Sequence, residues 1–112
     1  EEKPADDLTL VAKDGEKIVG SIRLKTHDKY IELRTMYVLP SYYGQGVGTK
    51  LWQEALKLLP SNKPVEVEVA TYTKAKDFYT KLGFIDTGER SAKTKMLSSG
   101  TMMPIMKMVL NR

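Results

Sequence analysis

Tyr43-Gly44-Gln45-Gly46-Val47-Gly48-Thr49 is the stretch that decides the fold, because the hydrophobic repeat changes period across it. Before it, Tyr30 to Leu39 reads as a strand that ends where Pro40, lacking an N–H, removes a ladder donor. After it, Leu51, Trp52, Ala55, Leu56 and Leu59 recur at helical spacing, so Thr49 to Leu59 is expected to be an amphipathic helix ended before Pro60. Glycines between a strand and a helix let backbone N–H groups approach an anion at the helix N-terminus, which is phosphate-binding geometry. The same glycines could equally build a plain tight turn.

Working outward, Leu8 to Lys13 and Ile18 to Leu24 are apolar, β-branched runs flanking Asp14-Gly15, a strong hairpin signal. Lys25 to Lys29 is a polar turn, which makes the first three strands an antiparallel meander. Downstream, Pro64 to Ala70 alternates valine and glutamate as a strand with one buried face. Thr73 can cap a second helix carrying Ala75, Phe78, Tyr79 and Leu82, and Gly83 closes it as a C′ residue. Phe84 to Glu89, Lys93 to Leu97 and Thr101 to Leu110 read as further strands, the last pair turning around Ser98-Ser99-Gly100. The order βββ-α-β-α-ββ(β), with no repeat or linker, predicts one mixed α/β domain over residues 1–112.

The 112 residues suffice for one core, and 41% hydrophobic with 29% charged residues is a globular composition. No run approaches the roughly 18 apolar residues of a membrane span, and Glu1 to Leu8 is acidic rather than signal-like, so a cytoplasmic location is the expectation. The absence of cysteine excludes disulfides, thiolate metal sites and a cysteine nucleophile. The net charge of +4 is scattered along the chain, which argues against nucleic acid as the partner. The glycine loop lacks the Gly-Lys-Ser/Thr of a Walker motif, and antiparallel strands precede it where a dinucleotide fingerprint would need a parallel βαβ unit.

Gly46 and Gly48, following a strand and opening a helix, match the Arg/Gln-x-x-Gly-x-Gly/Ala loop of the GNAT N-acetyltransferase superfamily, which this sequence resembles. Met36-Tyr37-Val38-Leu39-Pro40 before the loop and Asp77-Phe78-Tyr79-Thr80-Lys81-Leu82-Gly83-Phe84 after it are similar to that superfamily too. Two departures stand out: Tyr43 replaces the usual arginine or glutamine, and Tyr72 holds a place often given to asparagine. The resemblance implies a mostly antiparallel central sheet with helices packed on it, lacking the strand and helix pair with which the superfamily usually begins. That difference leaves open a fragment, one half of a larger polypeptide, a naturally compact member, or a homodimer that borrows its missing wall.

The resemblance further implies acetyl-CoA as cosubstrate, an amine acceptor and no metal. Met36, Tyr37 and Val38 would offer a strand edge to the pantetheine arm, and an N–H near Val38 would polarise the thioester carbonyl. The N–H groups of Gln45, Gly46, Val47, Gly48 and Thr49 would hold the pyrophosphate, with Tyr43 and Gly44 also in the cofactor site and Tyr72 and Lys81 near the adenine end. Tyr79 is the implied acid for the thiolate leaving group, although its apolar helical spacing also reads as core. Glu32 is the candidate base, with a solvated or arginine-paired carboxylate as its alternative; it is expected to share a strand face with Arg34, Met36 and Val38. A catalytically silent acyl-CoA sensor is the rival reading. His27, in a polar turn without a neighbouring partner, is expected to be solvated, and the methionines of the last strand to pack the core.

Overall fold

The computed structural model describes residues 7–70, 74–96 and 102–112, so the Thr73 cap, Tyr72 and the turn at 98–100 lie outside the described residues. The chain divides into two compact units, Glu1–Lys63 and Pro64–Arg112. The first holds β1 (Asp7–Asp14), β2 (Lys17–Thr26), β3 (Ile31–Val38), a 3-10 turn at Pro40–Tyr42 and α1 (Val47–Leu56). The second holds β4 (Val65–Ala70), α2 (Lys74–Lys81), β5 (Ile85–Met96) and β6 (Met102–Leu110). The fold class is the expected mixed α/β one, and β1 with β2, β2 with β3, β4 with β6 and β5 with β6 all pair antiparallel.

In the first unit, β1 and β2 close around Gly15, whose φ of 64° meets the turn's need for a left-handed residue. Leu8, Leu10 and Ala12 of β1 lie opposite Leu24, Ile22 and Gly20 of β2, and these rows face α1. β3 adds to this face through Leu33, opposite Leu24. One residue further on, the register slips: Arg23 pairs Thr35, leaving Arg34 as an extra residue on β3. The slip changes the strand's phase, so Met36 and Val38 fall opposite Ile22 and Gly20 on the α1 face, while Glu32, opposite Lys25, lies on the other. Glu32 therefore does not share a face with Met36 and Val38, as simple alternation would have it.

Helix α1 starts two residues earlier than the apolar periodicity suggests, because Gly46 at φ 82° takes the N-cap position and Gly48 is accommodated in the first turn. It ends earlier too: Leu58 and Leu59 donate to the carbonyls of Ala55 and Leu56, tightening the last turn ahead of Pro60. Leu51, Trp52 and Ala55 are its buried stripe.

In the second unit, Val65, Val67 and Val69 of β4 are buried, as are Met106 and Met108 of β6, which confirms the core reading for those two methionines. Gly83, at φ 104°, closes α2 in a Schellman arrangement: its N–H donates to Thr80 O at 3.0 Å, and the Phe84 N–H donates to Tyr79 O at 3.0 Å. Ala75, expected on the apolar face of α2, is exposed. The two strands expected over 84–97 are one, β5, bent by register shifts between Asp86 and Arg90 and between Ser91 and Thr94, with Gly88 at φ 85° in the first.

Gly20 is where sheet and helix come closest. A Cβ there would stand 3.0 Å from Tyr37 O, 3.1 Å from Val47 Cγ1 and 3.3 Å from Leu51 Cδ1. The Gly20→Ala variant should lose about 1–3 kcal/mol of stability through overpacking, read as a lower urea midpoint at unchanged m-value; an unchanged midpoint would show that α1 can retreat freely.

Candidate active site

The loop after β3 is built from the backbone outward. Leu39 N–H donates to Val19 O at 2.9 Å, and the 3-10 turn returns Tyr42 N–H to Leu39 O at 2.8 Å and Tyr43 N–H to Pro40 O at 3.1 Å. Gly44 and Gly46 then take φ values of 78° and 82°, with open space where a Cβ would stand. Lys50 N–H is the first of α1 to close on the loop, onto Gly46 O at 2.9 Å. The N–H groups of Val47, Gly48 and Thr49 have no backbone acceptor among the described residues, and Gly46 supplies no side-chain cap. Such a helix start, with no acidic residue in its first turn, carries a partial positive charge suited to an anion.

Side chains fix the loop from beneath. The Tyr42 hydroxyl donates to Asp14 Oδ2 at 2.6 Å, a bond that holds the phenol above its ordinary pKa, and Lys17 Nζ lies 5.9 Å from the same ring. Gln45 Nε2 donates to Ser41 O at 3.4 Å. A groove of about 660 Å³ runs beside the loop, lined by Leu10, Val19, Gln45, Gly46, Val47 and Lys50 among others. Tyr43 projects into solvent, 67% exposed.

On β3, Met36 and Val38 are half-buried toward α1 and Tyr37 is 50% exposed on the opposite face. Glu32 is paired twice: its Oε1 accepts from His27 Nε2 at 2.8 Å, and its Oε2 faces Arg34 Nε at 3.5 Å. His27 is therefore not the solvated, unpartnered residue expected. Its ring stacks on Tyr30 at 4.6 Å and 18°, its N–H donates to Tyr30 O at 2.8 Å, and its carbonyl accepts from Lys63 Nζ at 2.8 Å. The signal was in the hairpin: with Thr26 opposite Ile31, continuing the register sets His27 beside Tyr30 and diagonal to Glu32 on one face.

In the second unit, Tyr79 is 5% exposed and its ring meets Phe78 at 5.2 Å and Phe84 at 5.4 Å, both edge-on. Its hydroxyl makes no hydrogen bond among the described residues, and burial pushes its pKa up to about 12. Lys81 is exposed at the end of α2. Among the described residues no group of three or more His, Cys, Asp or Glu side chains could hold a metal ion, and no helix is long and apolar enough to cross a membrane.

A model of the acetyltransferase (GNAT) domain matches residues 2–103. The chain belongs to this family. Solved structures of other members share the fold. The PaiA N-acetyltransferase from Thermoplasma acidophilum, in complex with coenzyme A, is 24% identical with a TM-score of 0.70, over 96% of this chain and 62% of its own. An IAA acetyltransferase from Bacillus cereus is 21% identical with a TM-score of 0.75, over 96% and 79%. A GNAT family acetyltransferase from Elizabethkingia anophelis with acetyl-CoA bound is 15% identical with a TM-score of 0.74, over 96% and 77%. The chain thus spans between 62% and 79% of the length of these relatives. No curated protein matches it in sequence.

The buried phenol gives a sign to alkaline stability. The Tyr79 hydroxyl holds its proton to about 12 when folded but only to about 10 when unfolded. Its contribution is full below the unfolded value and is lost as pH rises through the folded one, at a cost of about 2–3 kcal/mol. Urea titrations across this alkaline window should show wild type losing stability more steeply than Tyr79→Phe; equal slopes would mean that the ring is not dry.

Proposed function

We propose that this chain binds acetyl-CoA and transfers the acetyl group to a primary amine by direct attack in a ternary complex. The amine is a small molecule such as a polyamine, or a protein amino group. One observation carries the reading: Gly46, in the left-handed conformation, aims the free N–H groups of Val47, Gly48 and Thr49 out of the start of α1 in a chain of the acetyltransferase family. Coenzyme A and acetyl-CoA in the related structures support the choice of anion.

On this reading the pyrophosphate lies on the N–H groups from Gln45 to Thr49, with Gly44 and Tyr43 at the approach. Fixed backbone dipoles bind that charge without a metal ion. Met36, Tyr37 and Val38 present strand backbone to the pantetheine arm, and a backbone N–H there stabilises the oxyanion that develops at the thioester carbonyl. Tyr72 and Lys81 serve the adenine end.

Tyr79 is the proposed proton donor to the departing thiolate. Its pKa of about 12 keeps the hydroxyl protonated at any working pH. A thiol near 8.5 lies well below that value, so full transfer is uphill until the phenolate recovers the proton that the acylated nitrogen sheds. The hydroxyl's lack of a partner among the described residues fits a donor whose acceptor arrives with the cosubstrate. Glu32 is the family-matched candidate for the base.

The test is calorimetric titration with acetyl-CoA, together with thiol release across polyamines, lysine peptides and aminoglycosides. Binding with release for one amine class is expected; binding without release would favour the sensor, and no binding would end the proposal. In Tyr79→Phe, kcat should fall by about 10²–10³ with cofactor affinity kept, and an unchanged kcat would remove Tyr79 from the mechanism.

A further inference from the structure

We propose that this chain forms a homodimer through the open edge of β1, two copies of the strand pairing antiparallel about a two-fold axis at Leu10. The inference stands apart from the acetyltransferase reading and is tested without it.

β1 pairs β2 along one side and ends the sheet on the other. Such an edge presents N–H and C=O groups without a ladder partner, and proteins usually blunt it with proline, a bulge or charges along its length. β1 has no proline. At the irregularity between Ala12 and Lys13 the extra residue, Val19, lies on β2, so β1 itself keeps a regular period. Its central residues, Leu8-Thr9-Leu10-Val11-Ala12, carry no charge.

The strand is also complementary to itself. Antiparallel pairing of two copies needs a two-fold axis perpendicular to the sheet, which sets like face beside like face. With the axis at Leu10, that residue meets its own copy, Leu8 meets Ala12, Thr9 meets Val11, and Asp7 meets Lys13 at both ends. Leu8, Leu10 and Ala12 are the half-buried row on the α1 face, and Asp7, Thr9, Val11 and Lys13 the exposed one. Asp7 is bonded by Arg23 at 3.1 Å and keeps lone pairs for a second cation. Moving the axis by one residue discards the match: at Val11 it sets Leu8 against Asp14, and at Thr9 it sets Asp7 against Val11.

The groove beside β1 adds to this edge. Consecutive residues from Leu10 to Asp14, pointing to both faces, line it, so it follows the outer backbone of the strand, and Val19, Val47 and Leu51 give it an apolar floor. Its volume of about 660 Å³ leaves room for leucine side chains of the second copy. Main-chain bonds supply affinity in such strand addition, and the filled groove supplies apolar area toward the roughly 800 Å² per partner of a stable interface. Because the axis uses the same edge in both copies, assembly closes at two.

Sedimentation equilibrium of wild type should show monomer and dimer exchanging with a micromolar Kd. Lys13→Asp sets two carboxylates face to face at each end and should weaken the dimer by about tenfold or more. Asp7→Lys sets two ammonium groups there and should do the same. A mixture of the two variants restores both opposite-charge pairs, so it should form a heterodimer about as tight as the wild-type dimer. Amide hydrogen exchange on wild type gives a reading that needs no variant: amides between Leu8 and Ala12 should gain protection as concentration rises through the Kd. Wild type that stays monomeric at millimolar concentration would give the edge to another occupant, a partner or a further segment adding a strand, and overturn the inference. A dimer that neither variant weakens, or whose β1 amides gain no protection, would place the contact elsewhere and overturn it as well.

Discussion

The arrangement of the first unit depends on a single extra residue, Arg34, in the β2–β3 ladder. Without it, period-two alternation would carry Thr35 and Tyr37 to the side of Leu33 and turn Met36 and Val38 outward. With it, the strand feeds the α1 face twice, through Ile31 and Leu33 before the slip and through Met36 and Val38 after it. The slip covers Met36 and Val38 in part, which favours this register over one that would set Thr35 and Tyr37 on the α1 face. The same slip leaves Glu32 on the face of Lys25 and His27, away from the core, where a carboxylate can keep its hydrogen-bond partners.

The glycine loop inherits that placement. Gly20 lets α1 lie close on β2 at the level of Val38, and Leu39 is tied back to Val19 by its N–H. The loop therefore leaves the sheet from a fixed point and enters the helix at another. Between them Gly44 and Gly46 absorb the positive φ angles, and the bond from Tyr42 to Asp14 fastens the 3-10 turn to the first hairpin. Preorganised N–H groups need such a frame, since a loop ordered only on binding would spend part of its affinity on lost conformational freedom.

Much of this was legible in the residues. The change of period around Gly44–Gly48 located α1, Asp14-Gly15 located the first hairpin, and Gly83 at the end of an apolar helical stretch gave the Schellman close. Three features were not legible, each for a physical reason. A bulge costs one residue and leaves no compositional mark, so the phase change at Arg34 and the bends of β5 were invisible to alternation. Helix ends depend on cap geometry more than on apolar spacing, which moved α1 toward Gly46. The pairing of His27 with Glu32 needs the hairpin register, and five residues of separation suggest no contact until that register is known.

Tyr79 and His27, each described within its own unit, live in opposite environments. Tyr79 is enclosed by Phe78 and Phe84, and burial alone keeps its hydroxyl neutral to about 12. A group so dry exchanges protons slowly with water. His27 is half-exposed, with one nitrogen on a carboxylate and the other open. The backbone N–H groups at α1 hold charge without titrating at all.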